Sequence, residues 1–108
     1  MNPKIWGPDI WKSMHLIAAG YPNRPTSAHK KQYKRLYKAL GCTLPCGMCA
    51  KSYRAFMNQL KIDNFLCSKK RLMYWVFLMH NRVNKKLNKK PRKSFRVVCN
   101  KYMSMLKK

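Results

Sequence analysis

Ser68-Lys69-Lys70-Arg71-Leu72-Met73-Tyr74-Trp75-Val76-Phe77-Leu78-Met79-His80-Asn81-Arg82-Val83-Asn84-Lys85-Lys86-Leu87 places Leu72, Trp75, Val76, Met79, His80, Val83 and Leu87 at helical period, behind a serine suited to cap the first turn. The spacing predicts the longest helix of the chain. Upstream, Tyr53, Phe56, Met57 and Leu60 form a second apolar stripe, and Tyr33, Leu36, Tyr37 and Leu40 a third, with Thr26 or Ser27 as cap and Gly41 as stop. Trp11, Met14, His15 and Ala18 mark a first helix from about Gly7 to Ala19 with Pro8 in its first turn, ended by Gly20-Tyr21-Pro22. Beyond Pro91, Phe95, Val98, Cys99, Tyr102, Met105 and Leu106 describe a shorter amphipathic segment. Strand-like alternation is scarce, and no repeat or flexible linker interrupts the pattern. The expectation is all-α: one domain over 1–108, four main helices and a short fifth, with a basic C-terminal helix or tail from about residue 90.

Twenty-five Lys and Arg stand against Asp9 and Asp63, a formal charge of +23 in 108 residues. From Arg82 onward Lys85, Lys86, Lys89, Lys90, Arg92, Lys93, Arg96, Lys101, Lys107 and Lys108 have no acid among them. Such a run reads first as a solvated basic face with non-specific attraction for nucleic acid or acidic protein. Zinc-finger spacing, an RNP-like aromatic strand and a Gly-rich phosphate loop are all missing, so no base-reading motif is visible. No stretch approaches the ~18 apolar residues of a membrane span, and Met1 to Trp6 offers no apolar leader segment. The expectation is a soluble protein made in the cytosol.

Five cysteines in such a chain suit redox, catalytic or metal roles better than a secreted disulfide framework. Cys46-Gly47-Met48-Cys49, after Pro45, falls at the start of a predicted helix, where unpaired N–H groups and the helix dipole stabilise a thiolate. Lys51 and Arg54 are expected to strengthen that field. Zinc would need two more ligands, and Cys42, Cys67, Cys99, His15, His29 and His80 include no second closely spaced pair. A thioredoxin-like arrangement would need a strand before the dithiol. A structural bridge between Cys46 and Cys49 would close too short a loop to stabilise much, so reactivity is the better reason for the pair. His80 and Asn81 on one helix, and Trp11 and His15 one turn apart on another, read individually as buried polar and aromatic packing.

In combination, Gly7-x3-Trp11-x3-His15, Tyr21-Pro22, Leu44-Pro45-Cys46-x2-Cys49 and Trp75-x4-His80-Asn81-x-Val83-Asn84-x2-Leu87-x-Lys89 resemble the flavin-linked sulfhydryl oxidases of the Erv/ALR family. The resemblance spans Trp6 to Lys89, and the opening Met1-Asn2-Pro3-Lys4-Ile5-Trp6-Gly7 is similar to short members encoded by large DNA viruses. It implies a helical bundle enclosing FAD and a homodimer formed through the first helices. It implies that Cys46 exchanges with the substrate dithiol while Cys49 lies against the isoalloxazine as the charge-transfer thiolate. Gly7, Trp11, His15, Trp75, His80, Asn81, Val83, Asn84, Leu87, Lys89 and Tyr102 are the implied cofactor residues, with Trp11 and His80 near the adenine and Lys89 at the phosphates.

The same resemblance implies thiol oxidation with dioxygen as acceptor and hydrogen peroxide as product. The partner would be a protein dithiol or a thioredoxin-like redox protein, in host cytoplasm or virion. Several positions depart from the family pattern. Phe77 and Ser94 stand where cellular members have a second disulfide, Pro8 replaces a common Arg, and Tyr102 is only a loose counterpart of a family aromatic. Cys42, Cys67 and Cys99 map onto no family cysteine; a Cys67–Cys99 staple, a Cys42 shuttle and inert buried thiols are the alternatives. A basic nucleic-acid-binding or virion structural protein on an inactive oxidase scaffold is the competing function.

Overall fold

A computed structural model describes residues 1–92 and 94–107; Lys93 and Lys108 of the basic run lie outside the described residues. The elements are α1 (Pro3–Ala19), α2 (Ser27–Thr43), α3 (Gly47–Gln59), α4 (Lys69–Lys86) and α5 (Phe95–Leu106), with one 3-10 turn at Ile62–Phe65. There is no strand among the described residues. The all-α expectation holds, with α4 the longest helix, and Ser68 caps it as its sequence suggests, Oγ accepting from the Arg71 amide at 3.2 Å.

Two helix limits differ from the sequence reading. The first helix starts at Pro3 rather than Gly7, because Asn2 caps it through its side-chain oxygen and Pro3 occupies the first turn, where its missing N–H costs nothing. Pro8 is therefore interior. Gly41 does not end α2, which runs on to Thr43. A Cβ at Gly41 would stand 2.8 Å from Cγ of Arg54 and 3.4 Å from Cδ1 of Tyr53, so glycine is needed here for close approach of α3, not for termination. The start of α2 is a reciprocal cap: Thr26 Oγ1 accepts from the His29 amide at 3.1 Å, and His29 Nδ1 accepts from the Thr26 amide at 3.0 Å. Leu36, assigned to the apolar stripe of α2, lies outward instead, 42% exposed.

The core gathers on α4, where Leu72, Trp75, Val76 and Met79 have essentially no exposed surface. Three buried tyrosines tie the surrounding segments together by donating to backbone carbonyls: Tyr37 to Met14 at 2.8 Å, Tyr53 to Tyr37 at 2.7 Å and Tyr21 to Leu66 at 2.7 Å. Each hydroxyl thus satisfies itself while joining two segments, which makes these apolar bodies tolerable in a dry core. The 3-10 turn, which has no strong period of its own, adds Ile62 and Phe65 to the same core.

Where a second disulfide is absent, packing holds α5 to α4. Phe77 meets Phe95 edge-on with centroids 5.5 Å apart, and Tyr74 meets Phe95 likewise at 5.1 Å. Ser94 is the N-cap of α5. Asn81 adds a two-bond clasp, its amide nitrogen donating to the Arg92 carbonyl and its oxygen accepting from the Arg92 amide, both at 2.9 Å.

Candidate active site

The two stretches singled out in the sequence meet because α3 and α4 run antiparallel. Lys86 donates to Ser52 Oγ, and Arg82 donates to Gln59 Oε1 at 2.6 Å, so residue numbers rise along one helix as they fall along the other. The N-terminus of α3, with the dithiol, therefore lies at the end of α4 that carries His80 to Lys86.

Cys46 is itself the N-cap of α3. Its extended backbone (φ −151°, ψ 118°) turns Sγ back over the first turn, where it accepts from the Cys49 amide at 3.4 Å. A hydrogen bond from the Cys49 side chain, followed by that backbone bond, holds the Cys46 thiol below its ordinary value. Cys49 moves the other way: burial pushes its thiol up, the bond and charge of Cys46 add to this, and the Lys86 ammonium opposes it. The two thiols are thus shifted in opposite directions, Cys46 toward the thiolate and Cys49 toward the thiol. The cations expected to do this were Lys51 and Arg54. Arg54 is instead bound to the Gly41 carbonyl, and the helix terminus and the neighbouring thiol act on Cys46 in its place. Met48 is 79% exposed and nothing lies within 4 Å of a Cβ placed on Gly47, leaving the approach to the pair open.

Four rings from three helices form a second cluster. Trp11 stacks on His80 with centroids 4.2 Å apart and planes within 5°, and Tyr102 stacks on His15 at 4.6 Å and 4°. The two histidines are joined by a 3.0 Å bond between His15 Nε2 and His80 Nδ1. One nitrogen must donate and the other accept, so the bond requires at least one neutral imidazole. Burial, reinforced by His80 and Arg92, lowers His15 to about 3. Burial, reinforced by Arg92 and Lys89, lowers His80 to about 4. Both rings are neutral at physiological pH.

A groove of about 840 Å³, whose lining includes none of these four rings, runs between α3, α4 and the segment after α4, with Asn81, Arg82, Lys85, Asn88 and Lys89 along it. Asn84 is buried, and its carbonyl accepts from the Lys89 amide at 2.8 Å. Asn88 takes a left-handed conformation (φ 57°) that ends the helix and sends the chain along the groove.

The structure brings Trp11, His15, His80 and Tyr102 together, Tyr102 more closely than its loose motif match suggested. Asn81 and Lys89 line the groove, Val83 is half-buried, and Leu87 and Lys89 are exposed. Trp75 lies wholly in the core, its Nε1 donating to the Leu60 carbonyl at 2.9 Å, so it supports the bundle and presents no surface to a ligand. Gly7 lies in α1 with open space around it. Arg82 and Lys85 were missed as candidates, although Leu78, Asn81, Arg82 and Lys85 share one helical face, a period legible in sequence. The other three cysteines are free thiols; Cys42 and Cys67 are exposed rather than buried, and Cys99 contacts Met73 Sδ at 3.8 Å.

A dithiol capping one helix of an all-α bundle, with a clustered ring system and a cationic groove elsewhere in the same bundle, defines a candidate redox protein. Residues 8–104 match the model of the Erv1 / Alr family, and the chain belongs to that family. It is 35% identical over 91 residues to a probable FAD-linked sulfhydryl oxidase of Acanthamoeba polyphaga mimivirus, covering 83% of this chain and 64% of that protein. It is 37% identical over 87 residues to the FAD-linked sulfhydryl oxidase of African swine fever virus (isolate Pig/Kenya/KEN-50/1950), covering 79% of this chain and 70% of that one. The chain thus spans about two thirds of the length of these curated relatives. Among solved structures, the FAD binding domain of Erv1 from Saccharomyces cerevisiae superposes with a TM-score of 0.89 at 27% identity, covering 96% of both chains.

Proposed function

We propose that this protein is an FAD-linked thiol oxidase that forms disulfides in protein substrates through Cys46 and Cys49. The observation that carries the reading is the dithiol at the start of α3, Cys46 capping the helix with its thiol lowered and Cys49 behind it with its thiol raised. Family membership supports it, since several relatives are named for this activity.

The residues present fit the cofactor. The half-buried rings of Trp11 and His80 suit stacking on ring systems, and Lys89, Lys85 and Arg82 supply cations suited to a pyrophosphate, while His15 and Tyr102, 2% and 4% exposed, shape the cluster from within. The open space beside Gly7 is compatible with the same ligand. FAD bound here supplies a two-electron acceptor that passes its electrons to dioxygen to give hydrogen peroxide.

The chain's own residues perform the exchange. A substrate thiolate attacks Sγ of Cys46 in the oxidised pair; the Cys46–Cys49 bond breaks and the departing Cys49 sulfur takes a proton from solvent, in keeping with its raised value. The second substrate thiol attacks the mixed disulfide, forming the substrate disulfide and releasing Cys46, whose low-lying thiol is a good leaving group. Two electrons and two protons are removed from the substrate in each cycle.

A single oxidase domain over 1–108, acting on a protein dithiol or a thioredoxin-like partner, belongs to the same reading. So does a homodimer through α1, where Ile5 is 71% exposed. No described helix is long and apolar enough to cross a membrane. The viral relatives favour host cytoplasm or virion as the setting. The test is oxygen uptake with dithiothreitol as substrate. The wild type is expected to consume oxygen, whereas Cys49→Ser is expected to retain bound FAD and lose turnover. Full turnover by Cys49→Ser would refute the assigned route.

A further inference from the structure

The charge of the chain is not accounted for by the dithiol or the cofactor groove. Lys30, Lys31, Lys34, Arg35 and Lys38 recur at i, i+1, i+4, i+5 and i+8 along α2, a spacing that puts all five on one helical face. The face extends for about 12 Å at the usual helical rise. All but Lys34 are exposed, and Lys34 is held by Asp63 at 2.8 Å, the sole ion pair among the described residues. Lys30, Lys31, Arg35 and Lys38 thus face solvent without a carboxylate partner among the described residues. Along the same edge, Lys30, Lys31 and Lys34 border a cavity of about 230 Å³ with Asp63, Leu66 and Cys67.

We propose that this face of α2 binds the phosphate backbone of duplex DNA without reading sequence. An acidic protein surface is the weaker match, because stable protein interfaces centre on apolar residues and the stripe contains none. Single-stranded nucleic acid is disfavoured by the lack of an exposed aromatic platform on the face. A straight helical face matches the wide major groove and flanking phosphates of B-form DNA better than the deep, narrow groove of duplex RNA. Four of the five cations are lysines, which contact phosphates as point charges, whereas bidentate reading of guanine edges favours arginine. The surface would hold the protein, whatever its redox activity, close to DNA-bearing assemblies.

The test is fluorescence anisotropy of a labelled random-sequence DNA duplex of about 20 base pairs, titrated with the full chain between about 50 and 300 mM salt. Two triple variants remove equal charge: K31Q/R35Q/K38Q on the stripe, and K4Q/K12Q/K70Q at exposed sites elsewhere. The first is expected to reduce the slope of log K against log salt by about 2.7, and the second by less than about 1. K31Q and K38Q singly, each expected to lower the slope by about 0.9, keep the result interpretable if the stripe triple loses its helical circular dichroism. Equal losses from the two triples would overturn the proposal, as would displacement by polyglutamate matching that by unlabelled duplex, or tighter binding of duplex RNA. The readout uses no flavin and no turnover, so failure here leaves the oxidase reading intact, and the reverse holds.

Discussion

The amide of Cys49 donates to the sulfur of Cys46 at 3.4 Å, so the first cysteine caps the helix on which the second stands. The sulfur that caps the helix is thus the one proposed to exchange with the substrate. The arrangement gives the outer thiol the stabilisation of a helix N-terminus and leaves the inner thiol to burial, so the first is shifted down and the second up.

That division can be measured directly in the reduced protein. Alkylation followed by peptide mapping is expected to modify Cys46 before Cys49 at neutral pH. In Cys49→Ala the strongest contributor to the low Cys46 value is gone, so the pH midpoint for Cys46 alkylation moves upward. An unchanged midpoint would show that the neighbouring thiol is not the cause.

Acid should destabilise the cofactor-free protein through its buried histidines. His15 and His80 bind protons in the unfolded chain near 6.5 but in the fold only near 3 and 4. Their stabilisation is therefore present above pH 6.5 and lost progressively as pH falls toward 4. With only two carboxylates in the chain, the usual acid-sensitive groups contribute little. Urea unfolding at pH 7 and pH 4.5 is expected to differ by about 2–4 kcal/mol, counting 1.4 kcal/mol per unit for two partly screened groups. His15→Gln should flatten the dependence.

Asn81→Ala removes both bonds to the Arg92 backbone. A loss of about 1–2 kcal/mol is expected, since a donor and an acceptor are left unpaired at the α4–α5 junction. Hydrogen exchange should rise first in α5. A uniform increase over all helices would argue that Asn81 does not act as a local clasp.

Two glycines on helices should respond in opposite ways. Gly41→Ala meets Arg54 at 2.8 Å and is expected to cost about 1–2 kcal/mol despite the better helix propensity of alanine. Gly7→Ala meets nothing within 4 Å and is expected to stabilise the cofactor-free chain by about 0.5–1 kcal/mol. Thermal unfolding of both variants checks the contrast.

The helices were legible wherever a single apolar stripe dominated, as along Leu72 to Val83, because burial on one face imposes its period on the sequence. Gly41 shows where such reading fails: a glycine needed for close helix approach has the same letter as one that ends a helix, and only the Arg54 and Tyr53 side chains from α3 distinguish them. Pro8 misled in the same way, since Asn2 and Pro3 already supply the cap and first turn. At the site, the placement of Cys46 and Cys49 at the start of a helix was readable from local spacing. The stacking of Tyr102 on His15 and the clasp of Asn81 on Arg92 join distant segments, and no local period encodes such pairings. Trp75 is a motif residue whose ring the structure places wholly in the core.

The most direct measurement is a visible absorbance spectrum of the purified protein, recorded before and after a dithiol is added in air, with peroxide followed in the same cuvette. The account predicts flavin bands at one equivalent per chain and peroxide formation that depends on the dithiol and on Cys49. A colourless protein that binds no added FAD and yields no peroxide would contradict it.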